Sequence, residues 1–464
     1  MRTVEPVVPQ ATSVRAWAAE RSVSGGALVL AAALPILFLH VRYQPSVSVP
    51  LGGSFKLQDF AVLATVLAAL AVVRREGLVR LRGGAPLWIA SGLLLAWVVA
   101  ACFYPVALGR SYAWRDHLHT AGEFLWYALL APAVPLLVRR RADGLLLLAV
   151  LTAWTIAASA VGVAQWAGWN VLEAYPPGMR QPSFIGHHDL DALAGMTLAT
   201  GLLVLLWGVR ERRVRAGAWA AIVAGVVGFA LGGASAAVIG LVPAVALAAS
   251  IAARRRLVRA HALAATAAAV ALATAGVLGL RAGDLGQFAR FVGLQQATPA
   301  ETAAVQTYSQ RTLLAYVGLE IWKRHPLVGA GWQASFDPAT VDPVLPAAHR
   351  RFPDIAEPAF PTSRHEYGVQ ILYVQTLADL GLVGVALLAV WFAAPLAAGI
   401  RSALRAARES ALAATLGVVW LVLALGLWTA VGLVPGLPLG ALTWLALGAV
   451  ALARATPSLE ESRA

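Results

Sequence analysis

The side chains that could do chemistry lie in four short stretches of an otherwise apolar chain. One is MRQPSFIGHHDLDALAG, Met179 to Gly195, with Arg180, His187, His188, Asp189 and Asp191. A second, RHEYGVQ, supplies Arg364, His365, Glu366 and Gln370. Between them the chain sets out Arg281, Arg290, Arg311, Lys323, Arg324, Arg350 and Arg351, with His325 and His349. A guanidinium clamps phosphate oxygens through paired, charge-assisted hydrogen bonds, so arginines grouped beside a membrane suit a lipid-linked phosphate or pyrophosphate. Solvated arginines touching lipid headgroups are the plain alternative. Histidine and glutamate can take a proton from an attacking hydroxyl. Two adjacent histidines with two acids also admit a metal site. Neighbouring residues at a helix start face different ways, however, and no third histidine follows at ligand spacing, so no metal is expected. Asp189 suits a helix cap. The fourth stretch, LGRSYAWRDHLHTAGEF, holds Arg110, Arg115, Asp116, His117, His119 and Glu123. Its charges alternate in sign, which points to pairing among themselves.

These stretches are positioned by hydrocarbon. Of the 464 residues, 59% are hydrophobic and 13% charged, and the mean hydropathy is +0.72. Soluble chains are roughly 45–50% apolar, so the sequence reads as an all-α polytopic membrane protein. The single cysteine, Cys102, rules out an internal disulfide and a Cys-based metal site. Twelve apolar runs are long enough to span, near 25–42, 57–73, 85–104, 121–138, 145–167, 190–208, 218–232, 235–252, 261–280, 382–400, 411–432 and 440–453. The first follows a charged tail and resembles a secretory signal, but the many later spans make it a retained helix. The run from Gly217 to Arg254 must fold as two short helices turning at LGGAS.

The net charge of +13 is topological and does not signal nucleic acid. Of the 36 Lys/Arg, 23 fall in the termini and alternate connections, which places both termini in the cytoplasm. The exception among the short connections is the segment from about Arg281 to Gly368. It is too long to be a passive link and carries helical, aromatic and proline-bounded stretches, so a folded outer cap is expected. The expected organisation is a bundle of spans 1–9 over residues 1–280, an extracytoplasmic helical loop over 281–368, and an amphipathic helix with spans 10–12 and a cytoplasmic tail over 369–464. In HEYGVQILYVQTLADLGLVG, Val369, Leu372, Tyr373, Leu377 and Leu380 recur at helical spacing and suit packing, while Gly381 and Gly384 suit a bend.

Three segments together resemble the O-antigen ligase and O-antigen polymerase superfamily of bacterial membrane glycosyltransferases. SQRTLLAYVGLEIWKRHPLVGAGWQASF, Ser309 to Phe336, is similar to its loop segment, with Pro326, Leu327, Gly329, Gly331 and Phe336 at the patterned positions. RQPSFIGHHDLDALAGM resembles its Arg…Gly-x-x-Asn-x-Leu-Ala segment, and the stretch from His365 resembles its His-Asn-x-Tyr-Leu-Gln…Glu-x-Gly-x-x-Gly signature. The resemblance implies a bundle of the kind called GT-C-like, in the cytoplasmic (inner) membrane, with the site facing outward. It implies a polyisoprenyl-pyrophosphate-linked glycan as donor, a sugar hydroxyl of a glycan or glycolipid as acceptor, membrane lipids as surroundings, and no metal, nucleotide or other cofactor. Arg311 matches the loop arginine and is the expected pyrophosphate clamp, with Arg180 as a second contact. Arg364, Gln370, His187, His188 and Asp189 are the further expected substrate contacts.

Two positions depart from the pattern. Ser235 is followed by Ala236 where the family often has Ser-Arg, and the catalytic histidine position holds Gln370. A neutral amide accepts no proton at ordinary pH. Three solutions remain open. His365 or Glu366, the latter one turn from Gln370 on a continuous helix, could act as base. Arginines could position both substrates while the proton leaves through water or Glu366. Lastly, the chain could bind a lipid-linked glycan without transferring it. A transporter or flippase of lipid-linked sugars also fits twelve spans, though transporters carry inverted repeats and binding groups near the midplane.

Overall fold

The computed structural model describes residues 22–48, 54–291, 294, 307–362, 367–433 and 438–455. The apolar helices come in the expected order: α1 (Gly25–Leu37), α2 (Leu57–Glu76), α3 (Ala85–Ala107), α4 (Trp114–Ala128) and α5 (Leu130–Leu137), α6 (Arg141–Trp166), α7 (His187–Leu206), α8 (Arg212–Gly232), α9 (Ser235–Arg254) and α10 (Ala260–Leu280). The cap follows with α11 (Ala282–Phe291), α12 (Thr307–Arg324), α13 (Pro338–Val341) and α14 (Leu345–Arg351), and the chain returns through α15 (Leu372–Arg405), α16 (Arg408–Leu427) and α17 (Pro438–Ala455). Among the described residues eleven helical stretches are long and apolar enough to cross a membrane, α4 and α5 together forming one of them.

The twelfth, α1, departs from expectation. Its 13 residues give a rod of about 20 Å, shorter than a hydrocarbon core of about 30 Å. The chain leaves the helix at Phe38 and enters a small antiparallel hairpin, β1 (Ser46–Ser48) on β2 (Ser54–Lys56), which the hydropathy pattern did not foretell. LGGAS turns as expected, because Gly233 takes φ +66° after α8 and Asp191 Oδ2 accepts from the Ala234 N–H at 2.8 Å. The interior is made by α7, α16 and α17, whose side chains are mostly buried on all faces, as an all-round apolar helix requires.

Arginine clusters gather at one end of the bundle. Arg80 donates to the Pro135 carbonyl at 2.7 Å, Arg139 meets Glu76 at 2.6 Å, Arg141 meets Glu211 at 2.7 Å, and Arg454 donates to the Gly83 carbonyl at 2.6 Å. Arg255 and Arg408 tie the same end through the Ala403 and Trp207 carbonyls. The cap lies at the opposite end. It has its own small core, in which Leu313, Val317 and Ile321 of α12 meet Val341, Val344, Ala348 and Phe360. It is fixed to the spans by Tyr104 Oη on the Val328 carbonyl and Tyr112 Oη on the Trp332 carbonyl, both at 2.6 Å.

The cap's firmest joint is with α15. At Gly381, φ +66° and ψ −165° break the helix. The break would orphan the Leu382 and Val383 N–H groups and the Ala378 and Asp379 carbonyls, which an unbroken helix pairs i to i−4. Residues 326–331 supply every missing partner: Leu382 N–H donates to Pro326 O (3.0 Å), Val383 N–H to Leu327 O (3.1 Å), while Ala330 N–H and Gly331 N–H donate to Ala378 O and Asp379 O (2.9 Å each). Contact is so close that a Cβ on Gly329 would lie 2.3 Å from the Asp379 carbonyl, and one on Gly381 would lie 2.4 Å from Leu327 O. The buried Asp379 carboxylate locks the joint, accepting from Ser335 N–H (2.8 Å), Ser335 Oγ (3.2 Å) and Gln375 Nε2 (3.2 Å). The helix begins only at Leu372, and residues 367–371 are not helical. This corrects the continuous helix expected between Glu366 and Gln370: Leu372 N–H turns to the Trp428 and Val431 carbonyls instead, both at 3.1 Å.

Candidate functional site

Four elements meet where the cap joins the bundle. The first is the N-terminus of α7, opened by Gly186 at φ +100°. It brings His187 and His188, and its unpaired N–H groups give that end a partial positive charge. The second is the loop before it, which delivers Arg180 alongside Gly233, where an added Cβ would sit 2.9 Å from the arginine's own Cβ. The third is the end of α10, which delivers Arg281. The fourth is α12, which delivers Tyr308 and Arg311.

The geometry is that of a cation cluster. Arg311 Nη2 donates to His188 Nε2 at 3.0 Å. Since arginine only donates, the His188 proton must sit on Nδ1, and that atom is buried without a partner among the described residues. The Tyr175 hydroxyl lies 3.2 Å from His187 Nδ1, and the two imidazole centroids are 4.2 Å apart. Arg281 is only 3% exposed, with Nε 3.0 Å from Asp284 Oδ2. Its guanidinium carbon stands 5.3 Å from the Tyr308 ring centre, and Tyr308 Oη is 2.9 Å from Ser235 Oγ. Arg180 lies similarly over Tyr175, at 5.6 Å. Arg281 Nη1 and Arg311 Nε are buried with no hydrogen-bond partner among the described residues.

The electrostatics agree. Burial first, then Arg281 and Arg180, push the Arg311 guanidinium down to about 10. Burial first and Arg281 next push Arg180 down from its ordinary value. A cation held at this cost, with donors left over, could be satisfied by an anion.

The expected residues divide as follows. Arg180, Arg311, His187 and His188 come together. Asp189 turns away, its Oδ1 accepting from Leu439 N–H at the start of α17 (3.3 Å), so it caps a neighbouring helix. Gln370 is half-buried in the extended run before α15, next to Val369, which presses on Gly318 of α12. Arg364, His365 and Glu366 lie outside the described residues. Among the described residues no three His, Cys, Asp or Glu side chains group so as to hold a metal ion. The alternating stretch pairs partly within itself, His119 to Glu123 at 3.6 Å, and partly with the cap, His117 Nε2 to Asp337 at 2.8 Å.

Sequence reasoning named Arg281 only as one of several basic residues of the long loop, and did not place Tyr308 or Ser235 in the site. Arg281 directly follows a 21-residue apolar helix, where an arginine reads as an end-of-span charge facing water or headgroups. Only its near-complete burial distinguishes it.

Residues 192–389 match the family model described as O-antigen ligase. The match begins within α7 and ends within α15, so it takes in Ser235, Arg281, Tyr308, Arg311 and Gln370, while Arg180 and the two histidines precede it. No curated protein matches the chain.

Proposed function

We propose, from the match of residues 192–389 to the O-antigen ligase family model and from the arginine site, that the chain is a metal-independent glycosyltransferase whose donor is a polyisoprenyl-pyrophosphate-linked glycan. An acceptor sugar hydroxyl attacks the anomeric carbon; the bond from that carbon to the pyrophosphate oxygen breaks, and the lipid pyrophosphate leaves with the electron pair. Arg311, Arg281 and Arg180, aided by the N-terminus of α7, take up the charge that grows on the leaving group. The observation that carries this reading is the convergence of Arg311, Arg281 and Arg180, of which Arg311 and Arg281 keep buried donors with no hydrogen-bond partner among the described residues. The acceptor's proton goes to His365, to Glu366 or to water. The basic end of the bundle faces the cytoplasm of a bacterial inner membrane, and the arginine site faces outward.

Gln370 in the family's histidine position supports a second reading, a lipid-linked glycan binder with no transfer step. One experiment separates the two. The full chain in nanodiscs, with chelator present, is given a polyisoprenyl-pyrophosphate oligosaccharide and a glycan acceptor, and the products are weighed by mass spectrometry. Transfer by the wild type, lost in Arg311→Ala and reduced in His365→Ala or Glu366→Gln, supports the enzyme. Donor binding with no product in any chelator-free or chelated sample supports the binder. One addition per acceptor marks a ligase and many mark a polymerase.

A further inference from the structure

One turn deeper along α7 than the two histidines lies a carboxylate that the transfer chemistry does not use. Asp191 follows His187 and His188 at the spacing that places side chains on one helix face. It is fully buried. Its Oδ2 accepts from Ala234 N–H at 2.8 Å, whereas Oδ1 is buried with no hydrogen-bond partner among the described residues. The cations that bear on it are Arg180 and Arg281, and the like charge is Asp189, whose own Oδ1 is taken by Leu439 N–H.

The turn after α8 sets this arrangement. A Cβ on Gly232 would lie 2.7 Å from the Asp191 carboxylate carbon, and one on Gly233 would lie 2.9 Å from the Cβ of Arg180. The acid and the arginine thus press on successive residues of one turn. Gln181 N–H, next to Arg180, holds the Leu231 carbonyl of the same turn at 2.7 Å. Arg281 meanwhile pairs with Asp284, so Asp191 reaches it through the field, which carries further in a dry interior than in water.

A buried carboxylate behind an anion site works against binding. Cleavage of the glycosyl bond leaves one more negative charge on the pyrophosphate, so a site of arginines alone grips the departing lipid harder than the donor. A fixed negative charge repels both, and the more highly charged product more. We propose that Asp191 is a built-in counter-charge that acts through Arg180 and Arg281, without touching substrate, and lets the polyisoprenyl pyrophosphate leave. This rests on the donor class argued under Proposed function and goes further, assigning the balance between binding and release to one residue.

The test titrates the full chain in nanodiscs with polyisoprenol, polyisoprenyl phosphate and polyisoprenyl pyrophosphate, none bearing sugar. Asp191→Asn and Asp191→Ser both remove the charge and both keep an oxygen for Ala234 N–H. Each should bind the pyrophosphate about tenfold more tightly than the wild type, gain less for the monophosphate, and bind the alcohol equally. In glycan transfer the first turnover should be normal, with kcat and KM then both lowered. A merely structural role gives the opposite sign. Unchanged or weaker pyrophosphate binding, an equal gain for all three probes, or loss of folded protein in both variants would overturn the assignment. Graded tightening without any transfer by the wild type keeps the counter-charge and removes the enzyme reading; transfer without graded tightening does the reverse.

Discussion

Arg311→Met is the perturbation whose outcome runs against ordinary expectation. Replacing a partly buried arginine usually destabilises, through lost packing and lost hydrogen bonds. Here the guanidinium is held down to about 10 by burial and by two other arginines. At about 1.4 kcal/mol per factor of ten, that fall disfavours the charged form by roughly 3 kcal/mol. Arg311 keeps some solvent contact, so we halve the figure for screening, to ~1.5 kcal/mol. Losing the bond to His188 returns about 1 kcal/mol. Methionine keeps the apolar stem and removes the charge, so the unliganded variant should be as stable as the wild type or more stable by up to about 1 kcal/mol. Binding must change the other way. Charge-assisted bonds are worth about 1.5–3 kcal/mol each, so affinity for a polyisoprenyl pyrophosphate should fall roughly 10- to 150-fold. Reversible unfolding in mixed micelles gives the first quantity, and titration in nanodiscs gives the second. A variant destabilised by more than about 1 kcal/mol that still binds the donor normally would refute the view of Arg311 as a strained, anion-seeking cation.

Four further outcomes follow from the same structure. Donor affinity should be flat from neutral pH and decline as pH rises through about 10, where Arg311 loses its proton. Since its folded value lies below the unfolded one, the unfolded chain binds more protons from about 10 up to the ordinary arginine value, so Arg311 should contribute rising apo-protein stability across that window, read by unfolding at successive pH values. Asp379→Ala removes the acceptor of three hydrogen bonds and strands the Ser335 N–H; a loss of about 3 kcal/mol, seen as faster proteolysis within 326–362, is expected, and wild-type protection would contradict it. Gly381→Ala puts a methyl at φ +66° and 2.4 Å from Leu327 O; a cost of several kcal/mol and loss of the properly packed bundle in size-exclusion chromatography should result.

The bundle was legible because hydropathy records it directly. A helix facing lipid must be apolar over a fixed length, and LGGAS could only be a turn between two such lengths. The site was legible in part. Arg311 and Arg180 stood in segments whose order resembled a known family, and the adjacent histidines were conspicuous against hydrocarbon. Arg281 was visible only as one of several loop arginines, because the residue that ends an apolar helix looks alike whether it meets water or a tyrosine ring. Helix periodicity also misled at Glu366–Gln370: the apolar spacing continues through Leu372, but backbone carbonyls at Trp428 and Val431 capture the Leu372 amide and end the helix there. Pairings of that sort connect residues far apart in the chain, and local patterns carry no trace of them.

The splice between residues 326–331 and the break at Gly381 also bears on how the chain is made. A helix interrupted where a span meets its cap exposes amides and carbonyls that neighbouring lipid cannot satisfy. The segment that satisfies them is synthesised first, so it is waiting when α15 leaves the translocation machinery. Insertion of this span is therefore templated by an earlier piece of the same polypeptide. A nascent chain with 326–331 deleted would present a bare break to the bilayer, and membrane quality control, rather than catalysis, would be the first process to register the loss.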